Sequence, residues 1–165
     1  MLYLQKLSHS DGEDVFDMLK EIKPIENSFS NPANEMTFQE YQDWLFQQEQ
    51  WDRGEMLPKG YVAQSIYWLY DDGFPVGIGK IRHELTDISR VNGGNIGYAI
   101  RPSQRGKGYG VVLLKLLLVE AKKIGVKEIL LTIDKNNEAS KNVCKKNGGV
   151  CFDENSERCF YIITI

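Results

Sequence analysis

Arg105, Lys107 and the glycines Gly106, Gly108 and Gly110 crowd into one short run, RGKGYG. Glycines at this density let a backbone turn tightly and present bare N–H groups. An apolar run beginning at Val111 predicts a helix to Lys123, whose positive end points at the turn. Amide donors, a helix N-terminus and two cationic side chains in one place make a receptacle for an anion, above all a phosphate. The spacing excludes two common phosphate loops. A Walker-type loop follows Gly-Lys with Ser or Thr, and Lys107 is followed by Gly108. A dinucleotide fingerprint needs glycine where Val111 stands. What remains is Arg105-x-x-Gly108-x-Gly110, between a strand and a helix. A plain strand-to-helix turn with incidental basic residues is the alternative.

The elements that must hold this turn follow from patterning. Tyr3, Leu4 and Leu7 open a first strand, and Ser10 or Asp11 caps a helix through Ile22 that Pro24 ends. Ile25–Glu35 is polar and turn-rich and reads as a loop, before a Thr37-capped helix over Phe38–Gln50 and a second loop, Trp51–Lys59. Tyr61–Tyr70 and Phe74–His83 flank Asp71-Asp72-Gly73, a hairpin signal, and Thr86–Gly94 reads as a polar loop. The strand Ile96–Arg101 leads into the glycine turn. After the helix come an apolar strand, Glu128–Ile133, a helix capped near Asn137 and running to Lys146, and two last strands, Val150–Phe152 and Cys159–Ile165. The order is β-α-α-β-β-β-α-β-α-β-β. It predicts an α/β fold in which the strand–helix–strand crossover makes Ile96–Arg101 and Glu128–Ile133 parallel neighbours in a mixed sheet.

Bulk properties narrow the partners. At 165 residues, with 42% hydrophobic and 26% charged content, one domain spanning 1–165 is expected. A net charge of −3 gives no general affinity for nucleic acid, so the basic turn is a local feature suited to a small anion. Cys144, Cys151 and Cys159 do not space as a disulfide framework, and His9 and His83 stand alone, so no metal site is expected. The opening residues lack a basic start and an apolar run, and no apolar run reaches spanning length. A cytoplasmic protein with reduced thiols and no membrane partner is the simplest expectation.

The Arg105-x-x-Gly108-x-Gly110 turn resembles the acyl-CoA signature of the GNAT family of N-acetyltransferases. A second stretch resembles the same family: Asn137, Ser140, Lys146 and Gly148 match its pattern after the fifth strand. Two family residues are missing there. Cys144 stands where many members carry a Tyr that protonates the departing thiolate, and Gly149 replaces a Phe. The variant looks like a bacterial branch of acetyltransferases.

The resemblance implies the acyl-CoA N-acyltransferase fold from end to end, with Ile96–Arg101 and Glu128–Ile133 splayed around a thioester. It implies acetyl-CoA as co-substrate and direct transfer of its acetyl group to a primary amine of a small molecule or peptide. The diphosphate would lie on the amides of Arg105, Gly106, Lys107, Gly108, Tyr109 and Gly110, with pantetheine contacts from Asn137 and Ser140. A family bulge would aim the amide of Ile100 at the thioester oxygen as an oxyanion donor. Asn137 is equally a good helix cap. His83 and Glu84, at a strand end near the cleft, are the candidates for a general base. Cys144 is a candidate acid, or else a small buried residue. Asn95 is a candidate to orient a substrate, and Tyr98 faces either the cleft or, given its aromatic bulk, the core. The acceptor site would form from Ile25–Lys59, with Glu26, Glu35, Trp44, Glu49 and Trp51 as lining. The loss of the Tyr leaves a non-catalytic CoA-binding sensor as the other reading. The apolar terminal strand leaves a homodimer open.

Overall fold

A computed structural model describes all residues, 1–165. The chain order is β1 (Leu2–Lys6), α1 (Glu13–Glu21), β2 (Ile25–Glu26), β3 (Phe29–Ser30), α2 (Phe38–Asp52), β4 (Gln64–Asp71), β5 (Phe74–Arg82), α3 (Asp87–Val91), β6 (Ile96–Ile100), α4 (Tyr109–Ile124), β7 (Glu128–Asp134), α5 (Glu138–Lys146), β8 (Val150–Glu154) and β9 (Arg158–Thr164). Short 3-10 turns at Pro32–Glu35 and Pro102–Gln104 complete it. The local signals explain most boundaries. Thr37 and Glu40 form a reciprocal capping box that starts α2. Asp72 and Gly73, both with positive φ, turn β4 into β5. Left-handed glycines bound α4 at both ends, Gly108 before it and Gly125 after it.

Apart from the β2-β3 pair, the strands form two antiparallel sheets, ordered β1-β4-β5-β6 and β7-β9-β8. Side-chain alternation divides the first sheet between two cores. Ile66, Trp68 and Tyr70 of β4 pack with α1 and α2, whereas Tyr67 and Leu69 pack with α4 and the second sheet. Leu113, Leu114, Leu117, Leu118 and Ala121 of α4 are buried in that second core. At about 1.5–3 kcal/mol for each buried leucine, α4 is held firmly, and its N-terminal amides with it.

The continuous mixed sheet expected from the crossover is split instead. β6 and β7 share no ladder. They meet at one end only, where the Asn95 N–H donates to the Leu130 carbonyl (2.8 Å) and the buried Asn95 Oδ1 accepts from the Leu130 N–H (2.9 Å). Asn95 is thus a staple between the sheets rather than a group free to orient a substrate. Gly94 makes the junction sterically feasible. Its φ is +61°, and a Cβ there would sit 2.2 Å from the Leu130 carbonyl oxygen. Beyond this junction the two strands line opposite walls of a cleft.

Two segments read as loops contain structure. β2 and β3 form a small hairpin, turned by Asn27 and Ser28 at positive φ. Thr86 caps the five-residue α3 by accepting from the Ser89 N–H. The hairpin roofs the cleft and is tied to three of its sides. Arg105 bonds Glu26, Ser28 Oγ donates to Asp134 of β7 (2.9 Å), and Lys80 of β5 donates to the Ser30 carbonyl (2.6 Å).

Candidate active site

The cleft has a volume of about 420 Å³, within the range of small-molecule sites. At its open end lies the glycine turn. Gly106 (φ +80°) and Gly108 (φ +82°) are left-handed, and a Cβ on either would meet nothing within 4 Å. The helix starts at Tyr109, two residues before the Val111 read from hydropathy. The amides of Gly106 through Val111 donate to no carbonyl or side chain of the protein. They are therefore a run of unpartnered donors at the positive end of a sixteen-residue helix. The two cations expected to reinforce them are engaged elsewhere. Arg105 donates through Nε to the Ile100 carbonyl (3.0 Å) and pairs with Glu26, and Lys107 Nζ donates to Gln104 Oε1 (2.7 Å).

One wall is the free edge of β6. The ladder fixes its polarity: Arg82 N–H donates to Asn95, and Arg101 N–H donates to Val76, in one unbroken register. By antiparallel alternation, Gly97, Ala99 and Arg101 spend their amides on β5, while Asn95, just before the strand, gives its amide to Leu130. Ile96, Tyr98 and Ile100 aim theirs into the cleft. No bulge interrupts this register, so the kink expected near Ile100 is absent. Ile100 lies at the loop end, beside Arg105; Tyr98 is two residues, about 7 Å, deeper.

The other wall is β7 and the start of α5. Asn137 caps α5, its Oδ1 accepting from the Ser140 N–H (3.2 Å), while the residue also lines the cleft. Ser140 Oγ shares a hydrogen bond with the Tyr98 hydroxyl (2.8 Å), which ties α5 to β6. Burial pushes the Tyr98 hydroxyl up to about 12, so it stays neutral. Tyr98 meets both expectations, lining the cleft while its ring packs against the core on the α4 side.

The deep end is cationic. Lys80 and Arg82 both line the cleft from β5. Strand alternation puts them on the face that carries Gly97 and Ala99, since Lys80 pairs with Gly97 and Ile78 with Ala99. That same alternation in the sequence Gly79–His83 was the available signal for them. Burial lowers both side chains, Lys80 to about 8.

The general-base and acid candidates are not brought into the cleft. His83 follows Arg82 and so points to the opposite face of the sheet, where its Nε2 bonds Ser65 Oγ (2.7 Å) near Asp52. Burial holds this imidazole below its ordinary 6.5. Glu84 is exposed and outside the cleft. Cys144 is fully buried in the α4 core, and burial pushes its thiol up to about 12. The missing Phe at Gly149 is coupled to this burial: a Cβ at Gly149 would lie 2.2 Å from Cys144 Sγ. Of the acceptor residues expected on Ile25–Lys59, Glu26 reaches the cleft. Trp44 is buried between α1, α2 and β4, and Glu49 holds His9.

The sequence matches the acetyltransferase (GNAT) domain family over residues 1–150. The chain belongs to this GNAT family. It is a GNAT acetyltransferase, an enzyme class whose co-substrate is acetyl-CoA. A search of curated proteins finds no match. Among solved structures, the fold is similar to the Campylobacter jejuni N-acetyltransferase PseH in complex with acetyl coenzyme A (12% identity, TM-score 0.67, 99% of each chain covered). It is similar to RimL, a ribosomal L7/L12 alpha-N-protein acetyltransferase in complex with coenzyme A (15% identity, TM-score 0.72, covering 99% of this chain and 94% of that one). A spermidine N-acetyltransferase SpeG chimera from Vibrio cholerae and hSSAT is also similar (16% identity, TM-score 0.67, covering 99% and 95%). At these identities the likeness is one of fold. No helix of this GNAT enzyme is long and apolar enough to cross a membrane.

Proposed function

We propose that this enzyme transfers the acetyl group of acetyl-CoA to a primary amine of a small molecule or peptide by direct attack on the thioester. The observation that carries this reading is the run of unpartnered amides, Gly106–Val111, opening beside the free edge of β6. Those amides and the helix end suit a diphosphate. The pantetheine arm adds to the edge as an extra strand, meeting Ile100 first and Tyr98 deeper. Because Ile100 sits at the loop, the Tyr98 amide is our oxyanion donor and the Ile100 amide holds the arm. Asn137 keeps its Nδ2 hydrogens for the arm's carbonyls, its Oδ1 being spent on the cap.

Acetyl-CoA supplies an acyl group activated as a thioester. The amine nitrogen's lone pair forms the C–N bond while the C–S bond breaks. The proton lost from nitrogen balances the one taken up by the departing thiolate. A fixed amide at the thioester oxygen stabilises the charge that builds there. His83 and Cys144 do not touch this place, so neither is assigned a proton-transfer role. The neutral fraction of the amine then governs the rate. The three free thiols support a reducing, cytoplasmic setting.

Calorimetry with acetyl-CoA, followed by thiol release over an amine and peptide library, tests the proposal. Stoichiometric binding with turnover of at least one amine is expected. Binding without turnover of any member would support the sensor reading instead.

A further inference from the structure

The charges along the cleft do not balance, and the imbalance has a location. Two carboxylates line the cleft, and both are taken: Glu26 by Arg105, and Asp134 by Ser28 with Arg158 Nε at 3.6 Å. Lys80 and Arg82 have no carboxylate within 4.0 Å. Their polar contacts are neutral: Lys80 Nζ to the Ser30 carbonyl (2.6 Å) and Arg82 to the Gly94 carbonyl (3.0 Å). Lys80 also lies 4.6 Å above the Phe29 ring. Two uncompensated cations in a partly closed cleft are costly unless an anion joins them.

That anion is not the diphosphate. Lys80 pairs across the sheet with Gly97, and Arg82 with Asn95. Ile100, at the loop, is three residues further along β6 than Gly97, about 10 Å. The cations therefore flank the inner end of the cleft, next to the Tyr98 edge. Above Gly97 there is no side chain, and a Cβ there would first meet Phe29 at 3.5 Å. An acceptor lying over Gly97 has Phe29 on one side and the two cations on another.

We propose that the acceptor is an amine bearing an anionic group, a carboxylate or a phosphate, which Lys80 and Arg82 hold while its amino group faces the thioester. This rests on the acetyl-transfer reading above and narrows its acceptor. The planar Arg82 guanidinium suits either oxyanion through paired donors, and Lys80 adds a point charge. The same charges disfavour polyamines, the acceptor class named for the spermidine enzyme of similar fold.

The test has two arms on the full chain. In the first, acetyl-CoA binding is measured by calorimetry. Thiol release is then measured on matched pairs: amino acids against their amides, glucosamine 6-phosphate against glucosamine, phosphoethanolamine against ethanolamine, with spermidine alongside. At least one anionic member should exceed its neutral counterpart about 100-fold in kcat/KM. Whether amino acids or phosphates lead identifies the anion. Lys80→Met and Arg82→Met should each lower kcat/KM for that acceptor about 30-fold, chiefly through KM, with the acetyl-CoA Kd within twofold. In the second arm, the CoA-saturated enzyme is titrated with inorganic phosphate and with acetate. Binding that the Lys80→Met, Arg82→Met double variant loses is expected, even where no panel member is turned over. Preference for neutral amines or spermidine, or anion binding that survives the double variant, overturns the proposal. Failure to bind acetyl-CoA would overturn the transfer reading itself, so the two failures are distinct. Melting curves report whether each variant is folded.

Discussion

Replacing Gly108 by alanine separates backbone strain from loss of the phosphate cradle. Gly108 has φ +82°, and a Cβ there touches no protein atom within 4 Å. The cost to folding is therefore the left-handed conformation alone, about 1–2 kcal/mol. For a chain of this size that lowers Tm by about 2–4 °C per kcal/mol. The cost to binding is separate. Gly108 lines the cleft, so a methyl added there takes up space in which the diphosphate must approach the amides. Losing two hydrogen bonds to a charged group at about 1.5–3 kcal/mol each weakens acetyl-CoA binding about 100-fold or more. Gly125→Ala is the matched control. Gly125 has φ +98°, also with nothing within 4 Å, but it ends α4 at the far side from the cleft. Both variants should melt a few degrees lower. By calorimetry, Gly108→Ala should lose acetyl-CoA affinity and Gly125→Ala should keep it within twofold. Equal affinities in the two variants would refute the assignment of this turn to the diphosphate.

Other perturbations have distinct expected outcomes. Gly94→Ala drives a Cβ to 2.2 Å from the Leu130 carbonyl oxygen, backbone against backbone. It should destabilise by more than about 3 kcal/mol, read from urea denaturation, and an unchanged midpoint would contradict the stapled junction. Cys144→Ala removes a buried sulfur, which should cost about 1–2 kcal/mol of stability and leave kcat within threefold; a 100-fold fall in kcat would restore the thiol as the acid. His83 gives a pH signature. Burial depresses its pKa, so below pH 6.5 the unfolded chain binds the proton more readily than the fold. Its contribution is complete above pH 6.5 and is lost as pH falls through the lower folded value. His83→Gln should shrink the drop in Tm between pH 7 and pH 5, and an enlarged drop would reverse the assigned sign.

The elements nearest the cleft were the most legible in the sequence. The glycines of Gly106–Gly110, the apolar run of α4 and the cap at Asn137 are local signals, and each marks its element to within a couple of residues. The hairpin over the cleft was not legible, because strands as short as Ile25–Glu26 and Phe29–Ser30 carry no periodicity. The division into two sheets rests on Asn95 and Gly94 meeting Leu130, a contact between residues far apart in the chain. His83 and Glu84 illustrate a subtler loss. Nearness to the end of β5 suggested the cleft, but alternation places Arg82 there and turns His83 to the other face. Lys80 carried the same alternation, yet its lack of an acidic partner is a property of the assembled fold alone.

A crystal structure of this enzyme with acetyl-CoA tests the central claim most directly. The account predicts a diphosphate within hydrogen-bonding distance of the Gly106–Val111 amides, and a thioester oxygen on the outward amide of Tyr98. A coenzyme bound along β7 alone, or with its phosphates away from the start of α4, would contradict it.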